Sequence, residues 1–352
     1  MVSYFDDQYP SRGEKFISRG PLARQIADAV RSGKFVTIYA APGCGKRTLV
    51  REAKKLLDAD AQPPAFITLD LFNITSREEF TALLAEAFRG PIESYNREAL
   101  LPLDINLESI GLEAAIGLAS LLGSLTGRRY VVYFREFQNI LGFEGGEDVL
   151  KIMERSLGKK GEAAVIATGG QLNRMKEIFE VRRLFYRTAV HIPLEPLAKK
   201  DCMAYLRGGF LHSGKNIEDD ISEALYLASG GCPLAMNRLA RICDLRGVGY
   251  INRRVLGDAI ETYLDEDDAL YRYFMSGLTV FQINFLRAVC DGAQKFSSRD
   301  ILERYNLNSS ANVFRIKDAL RKKELVTFDD KDRAEIINPM FELWLKKRYF
   351  AR

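Results

Sequence analysis

Residues 40–48 combine the residue types of a phosphate-binding loop. Glycines allow backbone N–H groups to turn toward one phosphate, the N-terminus of a following helix adds partial positive charge, and a lysine reaches the terminal phosphates. The apolar run 35–39 predicts a buried strand before the loop, and residues 49–57 predict a helix after it. We therefore predict that a phosphate group is surrounded by Pro42, Gly43, Cys44, Gly45, Lys46, Arg47 and Thr48.

Two nucleotide motifs depart from the usual pattern. Ala40 stands where the first glycine is usual, and Arg47 stands where a hydroxyl residue usually holds Mg²⁺. The second buried strand, residues 130–134, ends in Arg135 and Glu136. P-loop ATPases usually have an aspartate and a glutamate there, which position the Mg²⁺ shell and the attacking water. Both groups expected near the metal are therefore arginines, and we predict no metal ligands.

Three interpretations of Arg47 and Arg135 stay open from the sequence. In the first, the site no longer binds nucleotide. In the second, it binds nucleotide without Mg²⁺. In the third, the chain is a working ATPase whose metal is held by water, phosphate and Glu136. Charge counting favours the second, because two guanidinium groups replace the two charges of the metal and match phosphate oxygens bidentately. Hydrolysis is harder to retain, because Mg²⁺ fixes the geometry of the β- and γ-phosphates. Glu136 is expected either to orient water or, as the favoured interpretation, to form a salt bridge with one of these arginines.

Composition limits the function classes only broadly. The chain has 352 residues and a net charge of +4, so an acidic partner such as nucleic acid is permitted but not required. Five scattered cysteines indicate a reduced, cytoplasmic protein. The polar N-terminus predicts no signal peptide, and the longest apolar run, residues 110–125, contains Glu113 and predicts a packed helix rather than a membrane span. Only two histidines are present, His191 and His212, which disfavours histidine metal sites and catalytic triads.

The pattern along the chain changes twice. Residues 1–195 alternate strands and helices, with a loop region at 89–106, which predicts an α/β domain with a parallel sheet flanked by helices. Residues 196–268 predict helices only and end in the acidic run 265–268, a solvated hinge or helix end. Residues 269–352 predict three helices and a strand–turn–strand unit, which together make a winged helix.

Several segments in order along the chain resemble the STAND-type P-loop ATPases of archaea and bacteria, within the AAA+ group. The resemblance is carried by residues 16–19, 69–80, 134–138, 167–171, 184–187, 231–233 and 338–345. It implies an ATP-binding core, a helical lid and a winged-helix arm. It also implies that Arg19 belongs to the entry motif of the nucleotide site, that Arg187 lies near the lid and senses the γ-phosphate, and that Pro233 packs near the adenine. One departure is Gly20, where the family usually has a glutamate.

The third predicted helix of the winged helix has a mixed charge pattern. Residues 310–323 carry polar and basic side chains that could meet DNA, namely Asn312, Arg315, Lys317, Arg321, Lys322 and Lys323. Asp318 and Glu324 interrupt this face, and the acidic turn 329–332 would be repelled by phosphate. A protein partner is therefore favoured over DNA, and no membrane partner is predicted.

These observations predict a switch protein that binds ATP or ADP and hydrolyses ATP weakly or not at all. An active Mg²⁺-dependent ATPase is the first alternative. A winged-helix DNA-binding regulator with a vestigial nucleotide site is the second. Whether the chain is an enzyme stays open at this level.

Overall fold

The computed structural model describes residues 3–5, 16–157 and 163–351. The chain divides into two compact units. The first contains residues 18–42 and 46–194, and the second contains residues 43–45 and 195–351 together with the described residues before position 18.

The first unit is built around a five-stranded parallel sheet in the order β2-β3-β4-β1-β5. Strand β1 is buried along its whole length, because helices cover both faces of the sheet, and this explains its continuous apolar sequence. The predicted α/β class is confirmed. The strands are β1 Phe35–Tyr39, β2 Ala65–Asp70, β3 Tyr130–Arg135, β4 Ala163–Gly169 and β5 Ala189–Pro193.

Six α-helices flank this sheet in the described part of the first unit. They are α1 Gly20–Arg31, α2 Lys46–Asp58, α3 Arg77–Glu98, α4 Leu112–Thr126, α5 Gly146–Leu157 and α6 Leu172–Lys176. A 3₁₀ turn, Phe137–Gly142, follows β3, and a short π-helix, Glu177–Val181, follows α6. Ser76 caps the N-terminus of helix α3, because its side-chain oxygen accepts a hydrogen bond from the backbone N–H of Glu79 at 3.1 Å.

Helix α3 corrects one expectation. The loop region predicted at 89–106 begins ten residues too early, because α3 continues through Pro91 to Glu98. Buried apolar side chains recur every four residues on one face of the helix and continue past Pro91, at Phe80, Leu84, Phe88 and Ile92. The packing of this face against α4 outweighs the backbone hydrogen bond that proline removes.

The second unit begins with four helices: α7 Lys199–His212, α8 Asp219–Ser229, α9 Pro233–Arg246 and α10 Arg253–Glu266. Two short strands, β6 Asn216–Ile217 and β7 Tyr250–Ile251, pair in parallel between them. The acidic run 265–268 is a helix end, the second of the two predicted alternatives, rather than a solvated hinge, because α10 ends at Glu266 and α11, Asp268–Ser276, follows directly. Two of its carboxylates are anchored: Asp267 accepts a hydrogen bond from Arg238, and Asp268 accepts one from the indole of Trp344.

The winged helix is present at the C-terminal end of this unit. It consists of α12 Val280–Cys290, α13 Arg299–Arg304, α14 Ser310–Lys322, the antiparallel strands β8 Val326–Phe328 and β9 Ala334–Ile336, and α15 Pro339–Trp344, which is followed by a π-helix, Leu345–Tyr349. One hydrophobic core runs from α7 to this π-helix. The domain boundaries predicted at residues 195 and 268 stay predictions.

Candidate nucleotide-binding site

The loop after β1 has the backbone that a phosphate-binding loop needs. Gly43 and Gly45 have φ angles of +81° and +90°, which side-chain-bearing residues rarely adopt. Lys46 is the first residue of α2, and its Nζ donates hydrogen bonds to the carbonyl oxygens of Ala40 and Ala41 at 2.7 and 2.9 Å. The loop therefore closes around the lysine ammonium at the N-terminus of a 13-residue helix.

Strand register places the other polar side chains at the same edge of the sheet. Asp70 lies opposite Arg135, Arg135 lies opposite Thr168, and Tyr39 lies opposite Gly169. Because all these strands are parallel, the residues that end β2, β3 and β4 lie at the carboxyl edge from which the loop departs. This edge forms a cavity of about 320 Å³ that is lined by Arg47, Asp70, Phe72, Glu136, Gln138, Asn139 and Gln171.

Arg135 forms an ion pair that the sequence did not predict. One of its terminal nitrogens lies 3.1 Å from an Asp70 carboxylate oxygen, and the Arg135 side chain is 26% exposed while that of Asp70 is 41% exposed. The Nε atom of Arg135 is buried and has no hydrogen-bond partner within the described residues. The charge of Arg135 is thus partly balanced by Asp70, and the guanidinium keeps an unused donor.

Glu136 has a different environment from the one favoured by the sequence. Its expected salt bridge with Arg47 or Arg135 is absent among the described residues, since Arg135 pairs with Asp70 instead. A Glu136 carboxylate oxygen accepts a hydrogen bond from the Gln138 amide at 3.0 Å. Its backbone is left-handed, with φ of +52°, a conformation that costs a non-glycine residue free energy. The carboxylate therefore belongs to the wall of the cavity rather than to an ion pair.

Gln138 and Asn139 hold the wall in place. Gln138 is 1% exposed, and its Oε1 has no partner in the described residues. The Asn139 amide donates to the carbonyl oxygen of Leu71 at 3.0 Å, which ties the turn after β3 to the end of β2. A side-chain carbon at Gly169 would lie 2.4 Å from Gln138 Oε1, so only glycine leaves room for this amide.

The pKa of a buried tyrosine on β3 is affected by both arginines. Burial raises the pKa of the Tyr133 hydroxyl, whereas its hydrogen bond with Thr168 and the positive charges of Arg135 and Arg47 act in the opposite direction. The Tyr133 oxygen lies 3.3 Å from the Thr168 hydroxyl. The positive charges of Arg47 and Arg135 thus both act on a residue of β3.

The other residues predicted for the loop and the entry motif differ in exposure. Pro42 and Arg47 are exposed, whereas Cys44 and Thr48 are partly buried. Arg19 precedes α1, and its backbone N–H donates to Glu52 at 3.2 Å. Their roles in nucleotide binding stay predictions.

Pro233 is the first residue of α9 in the second unit. The loop residues 43–45 belong to this unit, in which the backbone N–H of Leu234 donates to the carbonyl oxygen of Gly43 at 3.3 Å. A side-chain carbon at Gly43 would lie 2.8 Å from the Leu234 side chain, so close approach as well as φ requires glycine there. The predicted contact of Pro233 with adenine stays a prediction.

Arg187 is exposed and precedes β5 by two residues, and β5 begins at Ala189 opposite Phe35, the first residue of β1. The role of Arg187 toward a γ-phosphate stays a prediction.

Sequence reasoning missed five residues of the cavity wall as site residues: Asp70, Phe72, Gln138, Asn139 and Gln171. Asp70 carried a usable signal, because it is an acidic residue at the carboxyl end of a predicted strand. Its partner could not be read, because the neighbour of β2 in the sheet depends on topology.

No group of three or more histidine, cysteine, aspartate or glutamate side chains that could hold a metal ion occurs in the part of the chain that the structure describes. The two carboxylates that line the cavity belong to Asp70 and Glu136, and Arg47 lines the same cavity. Asp70 is already paired with Arg135. The expected lack of metal ligands at this edge stays a prediction.

The cations of the winged helix are largely engaged. Lys317 pairs with Asp332, Arg333 lies 2.6 Å from Asp329, and Lys322 lies 2.9 Å from Asp318. The acidic turn 329–332 is therefore paired with basic residues of the winged helix itself. Part of the basic face of α14 is likewise paired with acidic residues. Phe314 on the same helix is 75% exposed.

The parallel five-stranded sheet flanked by helices is followed by a helical region and a C-terminal winged helix. Residues 269–347 match the family described as "Probable winged helix domain". Among curated protein sequences, none matches this chain. No helix among the described residues has the length and apolar character needed to cross a bilayer.

Three solved structures show the similarity of fold. A Walker-type ATPase of Pyrococcus abyssi is 18% identical, with a TM-score of 0.70 over 97% of this chain and 99% of that chain. The ORC2 protein of Aeropyrum pernix is 14% identical, with a TM-score of 0.55 over 96% of this chain and 93% of that one. The ORC1 protein of Aeropyrum pernix, in complex with DNA, is 14% identical, with a TM-score of 0.53 over 99% and 97%.

Proposed function

We propose that this chain is a switch protein that binds ATP or ADP without a protein-held metal ion and hydrolyses ATP slowly or not at all. The observation that carries the proposal is the carboxyl edge of the sheet. There, the loop with Lys46 is accompanied by Arg47 and Arg135 at the two positions where a metal site would have a hydroxyl and an aspartate.

The charge balance of the edge supports binding without a metal. A usual site combines one lysine, one aspartate, one glutamate and a divalent ion, which leaves one net positive charge. Here Lys46, Arg47 and Arg135 are offset by Asp70 and Glu136, which leaves the same net charge. Guanidinium groups donate paired hydrogen bonds to phosphate oxygens, and the buried Nε of Arg135 still has a hydrogen to donate.

Slow hydrolysis follows from what the arginines do not supply. A metal ion bridges the β- and γ-oxygens and fixes the geometry of phosphoryl transfer, and positioning accounts for most of that catalysis. Glu136 is available to orient water, since it lines the cavity without an ion pair in the described residues. This availability is the observation that favours an active ATPase as a second candidate.

We further propose that nucleotide occupancy shifts the population of two conformations of the chain, and that a protein partner recognises the winged helix. The exposed Phe314 beside the exposed Arg315 supports a protein partner, because most other cations of α14 already have acidic partners. The ORC1 neighbour was solved with DNA, so DNA binding is tested by a gel shift at low and moderate salt. The described cysteines are all free thiols, which supports a reducing compartment such as the cytoplasm.

Calorimetry tests the proposal directly. Purified protein is stripped of nucleotide, the released nucleotide is identified by mass, and ATP and ADP are titrated once with Mg²⁺ and once with EDTA. Equal affinity in both buffers is expected. Binding that requires Mg²⁺ would return the active ATPase to first place, and absence of binding would leave the loop vestigial.

Two sets of variants test whether Lys46 and the two arginines determine nucleotide binding. Lys46→Ala is expected to abolish binding in both buffers, because it removes the ammonium held inside the loop. The double variant Arg47→Thr with Arg135→Asp is expected to make binding depend on Mg²⁺. If Lys46→Ala binds ATP as tightly as the wild type, the nucleotide is not held by this loop.

A further inference from the structure

Residues 3–5 are seated in a groove on helix α7. Phe5 is fully buried, and its ring lies 4.7 Å from that of Phe210 and 5.8 Å from that of Tyr205. The ring of Tyr4 lies 5.3 Å from that of His212. All of these residues belong to the second unit.

The groove exists because α7 has a glycine at its floor. A side-chain carbon at Gly209 would lie 2.4 Å from the Phe5 ring and 2.7 Å from the Tyr4 ring, so no other residue admits the segment. A glycine inside a helix lowers helix stability by about 1 kcal/mol relative to alanine. The neighbouring Gly208 has nothing within 4 Å of the same position.

A buried charged group binds the polar end of the segment. The Ser3 hydroxyl donates to an Asp244 carboxylate oxygen at 2.6 Å, and the Asp244 side chain is 6% exposed. Burial favours the neutral acid, but the hydrogen bonds and charge of Lys215 and the Ser3 hydrogen bond hold the pKa of Asp244 below its usual value. The carboxylate is therefore charged at neutral pH, with Lys215 at 2.7 Å and the Ser213 hydroxyl at 3.2 Å.

We propose that this groove is a docking site for short segments in which a serine is followed by two aromatic residues, and that residues 3–5 occupy it in cis as a built-in ligand. The aromatic rings supply the buried apolar area, and the Asp244 carboxylate recognises the serine by accepting a hydrogen bond from its hydroxyl. Because the cis ligand is covalently attached to the chain, external segments bind only when residues 3–5 are released. This proposal is independent of nucleotide binding.

Release is tested on the full chain by limited digestion with chymotrypsin, which cleaves after Tyr4 and Phe5, with the products followed by intact mass. Gly209→Ala fills the groove and is expected to speed cleavage at these two residues at least tenfold. Gly208→Ala makes the same chemical change one residue away and is expected to behave as the wild type. Equal cleavage of Gly209→Ala and the wild type would overturn the proposal.

A second variant releases the segment while leaving the groove open. Ser3→Glu places a carboxylate against Asp244 and is expected to expose the segment by charge repulsion, whereas Ser3→Ala is expected to release it far less. A fluorescent peptide with the sequence of residues 1–7 is then titrated by anisotropy. It is expected to bind Ser3→Glu at least tenfold more tightly than the wild type and not to bind Gly209→Ala.

Three outcomes of these experiments contradict the proposal. Peptide binding of equal strength to the wild type, Ser3→Glu and Gly209→Ala would show that the peptide binds elsewhere. Retained binding of a peptide in which Phe5 is replaced by alanine would show that this ring does not fill the groove. Sedimentation of the wild type as a dimer that Gly209→Ala converts to a monomer would show exchange between two chains and overturn docking in cis.

Discussion

Replacement of Asp70 by asparagine is expected to tighten ATP binding in EDTA. Asp70 lines the cavity and pairs with Arg135 at 3.1 Å. Asparagine keeps the shape of the side chain but removes one negative charge that faces the phosphates. It also leaves the Arg135 guanidinium available to the nucleotide, so both effects act in the same direction.

The magnitude follows from Coulomb's law for a partly exposed group. The Asp70 side chain is 41% exposed; for a phosphate roughly 6 Å away and an effective dielectric constant of about 60, one pair of unit charges repels by roughly 0.9 kcal/mol. Removal of this repulsion raises the affinity about fivefold. Loss of a partly exposed ion pair costs only about 0–1 kcal/mol of folding free energy, so the variant is expected to fold.

The assay is calorimetry of nucleotide-free protein in EDTA, with Asp60→Asn as the matched control. Asp60 also pairs with an arginine, Arg31, at 2.8 Å, but it does not line the cavity. Asp60→Asn is expected to leave ATP affinity unchanged. If Asp70→Asn binds ATP in EDTA no more tightly than the wild type, Asp70 does not compete with phosphate for Arg135. A weaker affinity confined to Mg²⁺ buffer would assign Asp70 to a metal shell instead.

Two predictions concern stability. Gly169→Ala would place a carbon 2.3 Å from the sulfur of Met175, so thermal unfolding is expected to show a free energy of unfolding lower by roughly 1–3 kcal/mol. The control Gly117→Ala in α4 meets no atom within 4 Å, and its free energy of unfolding is expected to rise by up to about 1 kcal/mol. If Gly169→Ala were the more stable of the two variants, the packing described at the end of β4 would be wrong. Burial lowers the pKa of His191, against a smaller opposing effect of Glu180, so the unfolded chain takes up the proton more readily and stability is lost as pH falls below about 6.5. Urea unfolding at pH 7.5 and 5.5 is expected to show a smaller loss in His191→Gln than in the exposed-site control His212→Gln, and equal losses would refute the assignment.

Local sequence determined the elements that carry the chemistry. The run 35–39 is apolar because a central parallel strand is buried on both faces, and Gly43 and Gly45 are needed because the loop has positive φ angles. The winged helix could be recognised because each of its short helices has its own apolar periodicity. These signals lie within a few residues of one another, so the printed sequence contains them completely.

Tertiary structure decided the contacts between residues that are distant in sequence. Asp70 meets Arg135 because β2 lies beside β3 in the sheet. Packing against α4 likewise decided that α3 continues past Pro91. Strand order depends on the burial of whole helices and sheet faces rather than on local propensity. For that reason the sequence identified Arg47 and Arg135 as unusual, but only the folded sheet determined which carboxylates they meet.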